Sequence, residues 1–198
     1  MRALDEYQRE GTLGCFGLTE KLAGVNSGLI VQTVADWNGT EFVMTTPTEG
    51  SEKNWISQGY VCDKAVVMAD LNIDGESKGP HAFVMDFRDE TEKLAQGVKI
   101  TDMGRKTIGN DLDNASISFD GAVLPKSALL SRFATIADDG TYKASTGATP
   151  MQMIGQRLFT GRVAVAQAAL EFRREIFRAT KVSRVALWPS SACVVAVA

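Results

Sequence analysis

The hydrophobic period changes once along these 198 residues, near residue 148, and that change limits the folds open to the chain. Before it, the apolar pattern is that of short strands. Leu29 to Trp37 is rich in β-formers and puts Val31, Thr33, Ala35 and Trp37 on one side. Asn38-Gly39 follows, a pair that tolerates positive φ and so predicts a tight hairpin turn. Glu41 to Thr46 returns and Pro47 ends the return. Ala65 to Leu71 is a compact apolar strand, Asn72 to Pro80 reads as a turn region, and His81 to Phe87 comes back. Ala115, Ile117 and Phe119 alternate with Ser116, Ser118 and Asp120, as in a half-buried strand. Strands this short and this closely spaced predict a barrel or sandwich.

After residue 148 the period becomes helical. Thr149 is a suitable N-cap, Pro150 takes the first helical position, and Gln152 completes a capping box. Ile154, Leu158, Val165, Ala169, Phe172 and Ile176 recur at steps of three, four or seven, and most of the arginines lie off that stripe. A helix over 149–181 would be about 45 Å long at ~1.5 Å per residue, and it needs partners along its apolar face. Residues 131–148 are polar, with Asp138-Asp139-Gly140 and Ser145-Thr146-Gly147, and read as a linker or surface loop. The expected fold class is therefore α+β: a mostly antiparallel, barrel-like domain over 12–130, the linker, then one long α-helix. Residues 1–11 read as the end of a helix that stops at Gly11, and 182–198 as an atypical tail.

Composition removes several functions. A net charge of −3 argues against bulk attraction to nucleic acid. Three widely spaced cysteines, Cys15, Cys62 and Cys193, give no disulfide framework and fit a reducing compartment. No apolar run approaches the ~20 residues of a membrane span. His81 is the only histidine, which makes a metal centre or a histidine-dependent triad improbable, and a structural role is expected for it.

Two stretches hold the candidate chemistry. Gly14 to Glu20 reads as a short strand ending in Thr19-Glu20; Lys53 to Gly59 offers Trp55, then the Ser57 hydroxyl, then Gly59. Side by side, two such strand ends could hold a flat heteroaromatic ring; their pattern alone does not say which one. In order along the chain, however, four blocks resemble the middle domain of the acyl-CoA dehydrogenase and oxidase superfamily. Gly14 to Glu20 resembles its G-C-x-x-x-T-E and Lys53 to Gly59 its K-x-W-I-[ST]-x-G. Gly79 to Val84 resembles the strand after the next hairpin, and Asp102 to Leu130 its final strands. The resemblance spans roughly residues 12 to 180.

That resemblance implies FAD as cofactor, an acyl-CoA substrate, and a middle β domain between two helical ones, of which 149–181 is the first helix of an incomplete C-terminal bundle. It places Phe16, Gly17, Leu18 and Thr19 along the flavin ring, and Trp55, Ile56 and Ser57 in the second flavin segment. It places Asn26 and Ser27 near the acyl-CoA, with Val25 standing where the family usually has a hydroxyl. Arg162 falls near the flavin phosphates or the CoA. Asn110 to Asn114, Arg132-Phe133-Ala134 and Asp139-Gly140-Thr141-Tyr142 are similar to oxidases, whereas Ser57 stands where oxidases commonly have Gly and is dehydrogenase-like. The leading expectation is an acyl-CoA oxidase fragment, peroxisomal and homodimeric at full length, with O2 as acceptor. Its C-terminal Val-Ala-Val-Ala is no peroxisomal address, and without one the location is otherwise cytoplasmic. No residue matches the family's catalytic glutamate, which is expected beyond this chain, so the fragment should not complete catalysis. The alternatives are an acyl-CoA dehydrogenase that uses an electron-transfer flavoprotein, and a non-catalytic interaction fragment with an exposed apolar helix face.

Overall fold

A computed structural model describes residues 11–23, 31–144, 163 and 166–178. It divides into two units, one ending at Ile154 and one starting at Gly155. Among its described residues the first holds ten strands: β1 (Gly14–Gly17), β2 (Val34–Trp37), β3 (Glu41–Thr45), β4 (Lys53–Ser57), β5 (Lys64–Ile73), β6 (Glu76–Asp86), β7 (Val98–Asp102), β8 (Asn114–Pro125), β9 (Ala134–Ile136) and β10 (Tyr142–Ala144). The fold is mainly sheet, with helix in the second unit.

Two long strands organise the sheet. β6 runs antiparallel along β5 from Lys64 to Ile73 and so takes one whole edge of it. The opposite edge is shared end to end. β1 pairs in parallel with Lys64 to Val67, and β2 in parallel with Asp70 to Ile73. β2 turns through Asn38-Gly39 into β3, and the Asn38 Oδ1 accepts the Thr40 and Glu41 N–H groups at 3.0 and 2.9 Å. β3 then pairs with the second half of β8, while β4 and β7 pair with its first half. The two halves meet at Gly121, whose φ of +69° accommodates one extra residue on β8 opposite the Met44–Thr45 step.

The sheet is thus mixed rather than uniformly antiparallel, and no closed barrel forms among the described residues. The path runs β1-β5-β2-β3-β8-β4, and its two ends meet through an isolated bridge between Glu20 and Lys53 instead of a ladder. The core lies inside this curved path. Phe42 packs its ring 5.0 Å from Phe83 and 4.8 Å from Trp37, with Met44, Leu71, Ile117, Phe119 and Leu124 buried around them. The alternation read at Ala115, Ile117 and Phe119 holds, since all three are buried.

Two local expectations are corrected. The turn between β5 and β6 is confined to Asp74-Gly75, both at positive φ, and the strand continues through Gly79-Pro80. Pro80 is tolerated because β6 is an edge strand, and Gly79, at φ +83°, sits in a bulge opposite the Asp70–Asn72 step. Within the segment expected as a linker, β9 and β10 form a hairpin with Ala134 and Ile136 buried. Its turn is made by Asp139-Gly140-Thr141, where the Asp139 carboxylate accepts the Thr141 N–H at 2.9 Å. Alternating small and apolar residues over three positions were too short a signal to separate from a loop.

In the second unit, residues 166–178 are helical, with Glu171–Arg174 and Glu175–Arg178 ion pairs along the surface. Leu170, Phe172, Ile176 and Phe177 are exposed. Among the described residues, no helix is long and apolar enough to cross a membrane. Val163 is helical too; the other residues of the helix expected over 149–181, the remnant expected over 1–11 apart from Gly11, and the tail at 182–198 lie outside the described residues.

Candidate functional site

The stretch after β1, Thr19 to Leu22, meets the start of β4 and the residues before it at the seam of the sheet. The Asn54 N–H donates to the Thr19 carbonyl at 2.8 Å, the Lys21 N–H to the Glu52 carbonyl at 2.9 Å, and the Leu22 N–H to the Gly50 carbonyl at 3.1 Å. Beneath these bonds lies a buried ion pair. Glu20 and Lys53 stand 2.8 Å apart, and both side chains are 0% exposed. Glu20 accepts further hydrogen bonds from the Thr33 hydroxyl and N–H, each at 2.9 Å, and from the Gln32 N–H. Its charge is therefore met from three directions, as a buried carboxylate requires. Burial pushes the Lys53 ammonium down to about 8, while Glu20 pulls it back up.

Above this clasp the surface is aromatic. Phe16 on β1 is 42% exposed and Trp55 on β4 is 56% exposed. Trp55 faces outward for a backbone reason. Lys53 to Ile56 spans three steps on β4 against two on β8, from Ile117 to Ala115, and the extra residue forms a bulge. Trp55 sits in that bulge at φ +61°, an uncommon conformation for a bulky residue. Gln58 follows at φ +60°. The turn beyond Ser57 is held by Asp113, whose carbonyl accepts the Gln58 N–H at 3.4 Å and whose carboxylate accepts the Tyr60 N–H at 3.2 Å. Ser57 itself registers with Asn114 on β8.

Each residue singled out in the sequence takes a distinct position. Gly17 is buried, and an added Cβ there would rest 3.7 Å from both Lys53 and Val67, so it offers backbone alone. Leu18 and Thr19 are half-buried. Ile56 is buried in the core and likewise presents only its backbone. Ser57 is exposed. Neither the Thr19 nor the Ser57 hydroxyl is bonded to another described residue, which leaves two hydroxyls beside two exposed aromatic faces. Asn26, Ser27 and Arg162 lie outside the described residues. His81 is structural: its ring nitrogens stand 2.8 Å from the Gly79 carbonyl and 3.1 Å from the Tyr142 hydroxyl. No group of three or more potential metal ligands is found among the described residues.

Sequence reasoning passed over Glu20 and Lys53 as a pair, and Asp113 as a brace. The signal was present. Both charges lie inside the two motif blocks, and charged residues beside strand-end hydroxyls invite the question of what neutralises them.

The comparisons with solved structures settle the class of fold. An acyl-CoA oxidase of tomato matches with a TM-score of 0.71 and 31% identity, covering 96% of this chain and 30% of its own. Acyl-CoA oxidase-2 of Caenorhabditis elegans, solved bound with FAD, ascaroside-CoA and ATP, matches with a TM-score of 0.69 and 32% identity, covering 74% of this chain and 23% of its own. No family model matches the sequence. Among curated proteins, peroxisomal acyl-coenzyme A oxidase 3 of Arabidopsis thaliana is 35% identical over 164 residues, which is 79% of this chain and 24% of the relative. Acyl-coenzyme A oxidase acox-1.4 of Caenorhabditis elegans is 33% identical over 174 residues, which is 84% of this chain and 26% of the relative. Over most of its length the chain belongs to the acyl-CoA oxidase family. It spans about a quarter of the length of these curated relatives, 24% and 26%.

Proposed function

We propose that this chain carries the flavin-facing half-site of an FAD-dependent acyl-CoA oxidase, held on the β domain. The observation behind this reading is the seam itself. Phe16 and Trp55 expose aromatic faces on two strands whose seam a buried ion pair holds, and the hydroxyls of Thr19 and Ser57, without a partner among the described residues, lie on the same two stretches. Such a surface fits a flat ring with polar edges: aromatic faces stack on it, and hydroxyls reach its nitrogens and oxygens. Gly17 and Ile56 would add backbone groups and Leu18 a half-buried apolar contact. FAD, when bound, would accept the hydride from the β carbon of an acyl-CoA and deliver the electrons to O2, giving a trans-2-enoyl-CoA and hydrogen peroxide.

The chain's own part is to bind and orient. Asn26, Ser27 and Arg162 are proposed for the acyl-CoA and phosphate contacts. No residue of this chain is assigned as the base that removes the α proton, so a fragment of this span would bind without turning over. Homodimerisation and a peroxisomal location belong to the same proposal; the Arabidopsis relative is named as peroxisomal. Ser57 favours a second reading, an acyl-CoA dehydrogenase passing electrons to a flavoprotein, since a hydroxyl stands where the oxidase pattern commonly has Gly. Oxygen uptake by a full-length protein that contains this segment separates the two.

The first test is the visible absorption of the purified chain after supply of FAD. A bound flavin spectrum is expected, with affinity lowered about tenfold in Trp55→Ala, equivalent to ~1.4 kcal/mol. A folded chain that leaves FAD free in solution would remove the half-site reading.

A further inference from the structure

We propose that Cys15 and Cys62 form a reversible dithiol–disulfide site, oxidised by a small hydroperoxide. Both cysteines are free thiols, and their Sγ atoms stand 3.3 Å apart. Cys15 lies on β1, beside Phe16, and Cys62 closes the turn that follows Ser57.

The backbone on either side of the pair is pinned. The Leu13 carbonyl accepts the N–H groups of Asp63 and Lys64 at 2.9 and 3.1 Å, and the Leu13 N–H donates to the Asp63 carboxylate at 2.8 Å. The Cys62 N–H donates to the Gln58 carbonyl at 3.0 Å, and Arg88 reaches the Tyr60 carbonyl at 2.7 Å. Two sulfurs held this close are already in contact, short of the ~2.0 Å of a disulfide. Cys62 is buried and Cys15 half-buried, so an oxidant arrives from the Cys15 side.

The electrostatics favour one thiolate. The hydrogen bond shared with Cys15 holds the Cys62 thiol below its usual range, and the Arg88 charge adds to this. The same sharing, with burial, pushes the Cys15 thiol up. Of the two thiols, Cys62 therefore gives up its proton the more readily.

In the first step the Cys62 thiolate takes the Cys15 proton, and the Cys15 sulfur, the one an oxidant reaches, attacks the peroxide O–O bond. An S–O bond forms, the O–O bond breaks, and the departing hydroxide takes a proton to leave as water. In the second step the remaining thiol loses its proton, its sulfur attacks the sulfenic sulfur, an S–S bond forms, and the S–O bond breaks to release the second water. Two thiols lose two electrons in total and hydrogen peroxide gains them. The site does not depend on the oxidase reading, because any small hydroperoxide serves.

The test uses the full chain with Cys193→Ser, which removes the third thiol. It is treated with one equivalent of hydrogen peroxide, then mapped by mass spectrometry without reduction. The expected product has lost two hydrogens, links the Cys15 and Cys62 peptides, and returns to the free dithiol with excess dithiothreitol. Two results would overturn the proposal: both thiols still alkylated quantitatively after a tenfold excess of peroxide, or sulfinic acid on one cysteine with the other left free.

Discussion

Glu20 and Lys53 illustrate how much a single contact can fix. Neither side chain touches water, so each charge depends on the other. Removing one partner strands the other in a medium that cannot solvate it. Lys53→Met is expected to cost about 3–5 kcal/mol in urea unfolding. Adding Glu20→Gln to that variant should restore at least about 1 kcal/mol, because the stranded charge is gone and the amide oxygen can still accept from Thr33. A loss in the double variant equal to the sum of the two single losses would show that the pair is not coupled. His81 sets a pH dependence of stability. Burial lowers its pKa below the ordinary 6.5, against a smaller upward pull from the Gly79 carbonyl and Asp70. The unfolded chain then takes up a proton that the folded chain resists. Stability is full above about pH 6.5 and falls as the pH drops from there through the folded pKa. Urea midpoints at pH 7 and pH 5 should differ more in the natural chain than in His81→Gln. Lys78, 6.0 Å from the Tyr142 ring centre, is the cation on the far side of this contact.

At the scale of elements, the entry to β7 rests on a glycine that leaves no room for a side chain. Gly97 precedes β7 at φ +80°, and its carbonyl accepts the Asp120 N–H at 2.8 Å. A Cβ there would stand 2.7 Å from the Ala122 nitrogen and 2.9 Å from the Asp120 carbonyl, both backbone atoms that cannot swing aside. Gly97→Ala is expected to destabilise by at least about 2 kcal/mol in urea unfolding, through strain and overlap together. An unchanged midpoint would mean that β7 can move off β8 at little cost. Elements of this local kind were legible in the sequence wherever a turn pair stood beside clean alternation. Asn38-Gly39 announced the β2–β3 hairpin, and Ala115, Ile117 and Phe119 announced β8. What could not be read was non-local. The parallel pairing of β1 and β2 on one edge of β5 leaves no mark in either strand, since both edges of a strand look alike in sequence. Gly79-Pro80 misled because a Pro is compatible with a strand only at an edge, and edge status depends on which strands lie beside it. The candidate site divides in the same way. The motif residues Phe16 to Thr19 and Trp55 to Ser57 were marked by type and order. The clasp between Glu20 and Lys53, 33 positions apart, exists only once the seam has formed.

At the scale of the whole molecule, the core formed by the described residues lies in the β unit. Its buried cluster runs from Ala35 to Ile136, and every member lies before Ile154. A unit of this size can bury enough apolar surface to stand alone. A chain of residues 12–154 is therefore expected to unfold in one cooperative urea transition, with an m-value of about 1–3 kcal/mol/M. Its folding should be slow. The ladder from Gly14 to Lys64 closes across a long stretch of chain, and the seam at Glu20 and Lys53 can form only after that and the β4–β8 pairing are in place. Sheets built from such distant pairings fold in roughly milliseconds to seconds. Because the clasp closes last, Lys53→Met should act mainly by speeding unfolding, with little change in the folding rate. Stopped-flow refolding and unfolding of the two chains would test this directly. A folding limb slowed in proportion to the lost stability would place the seam early, in the nucleus, and reverse the order argued from the strand pairings.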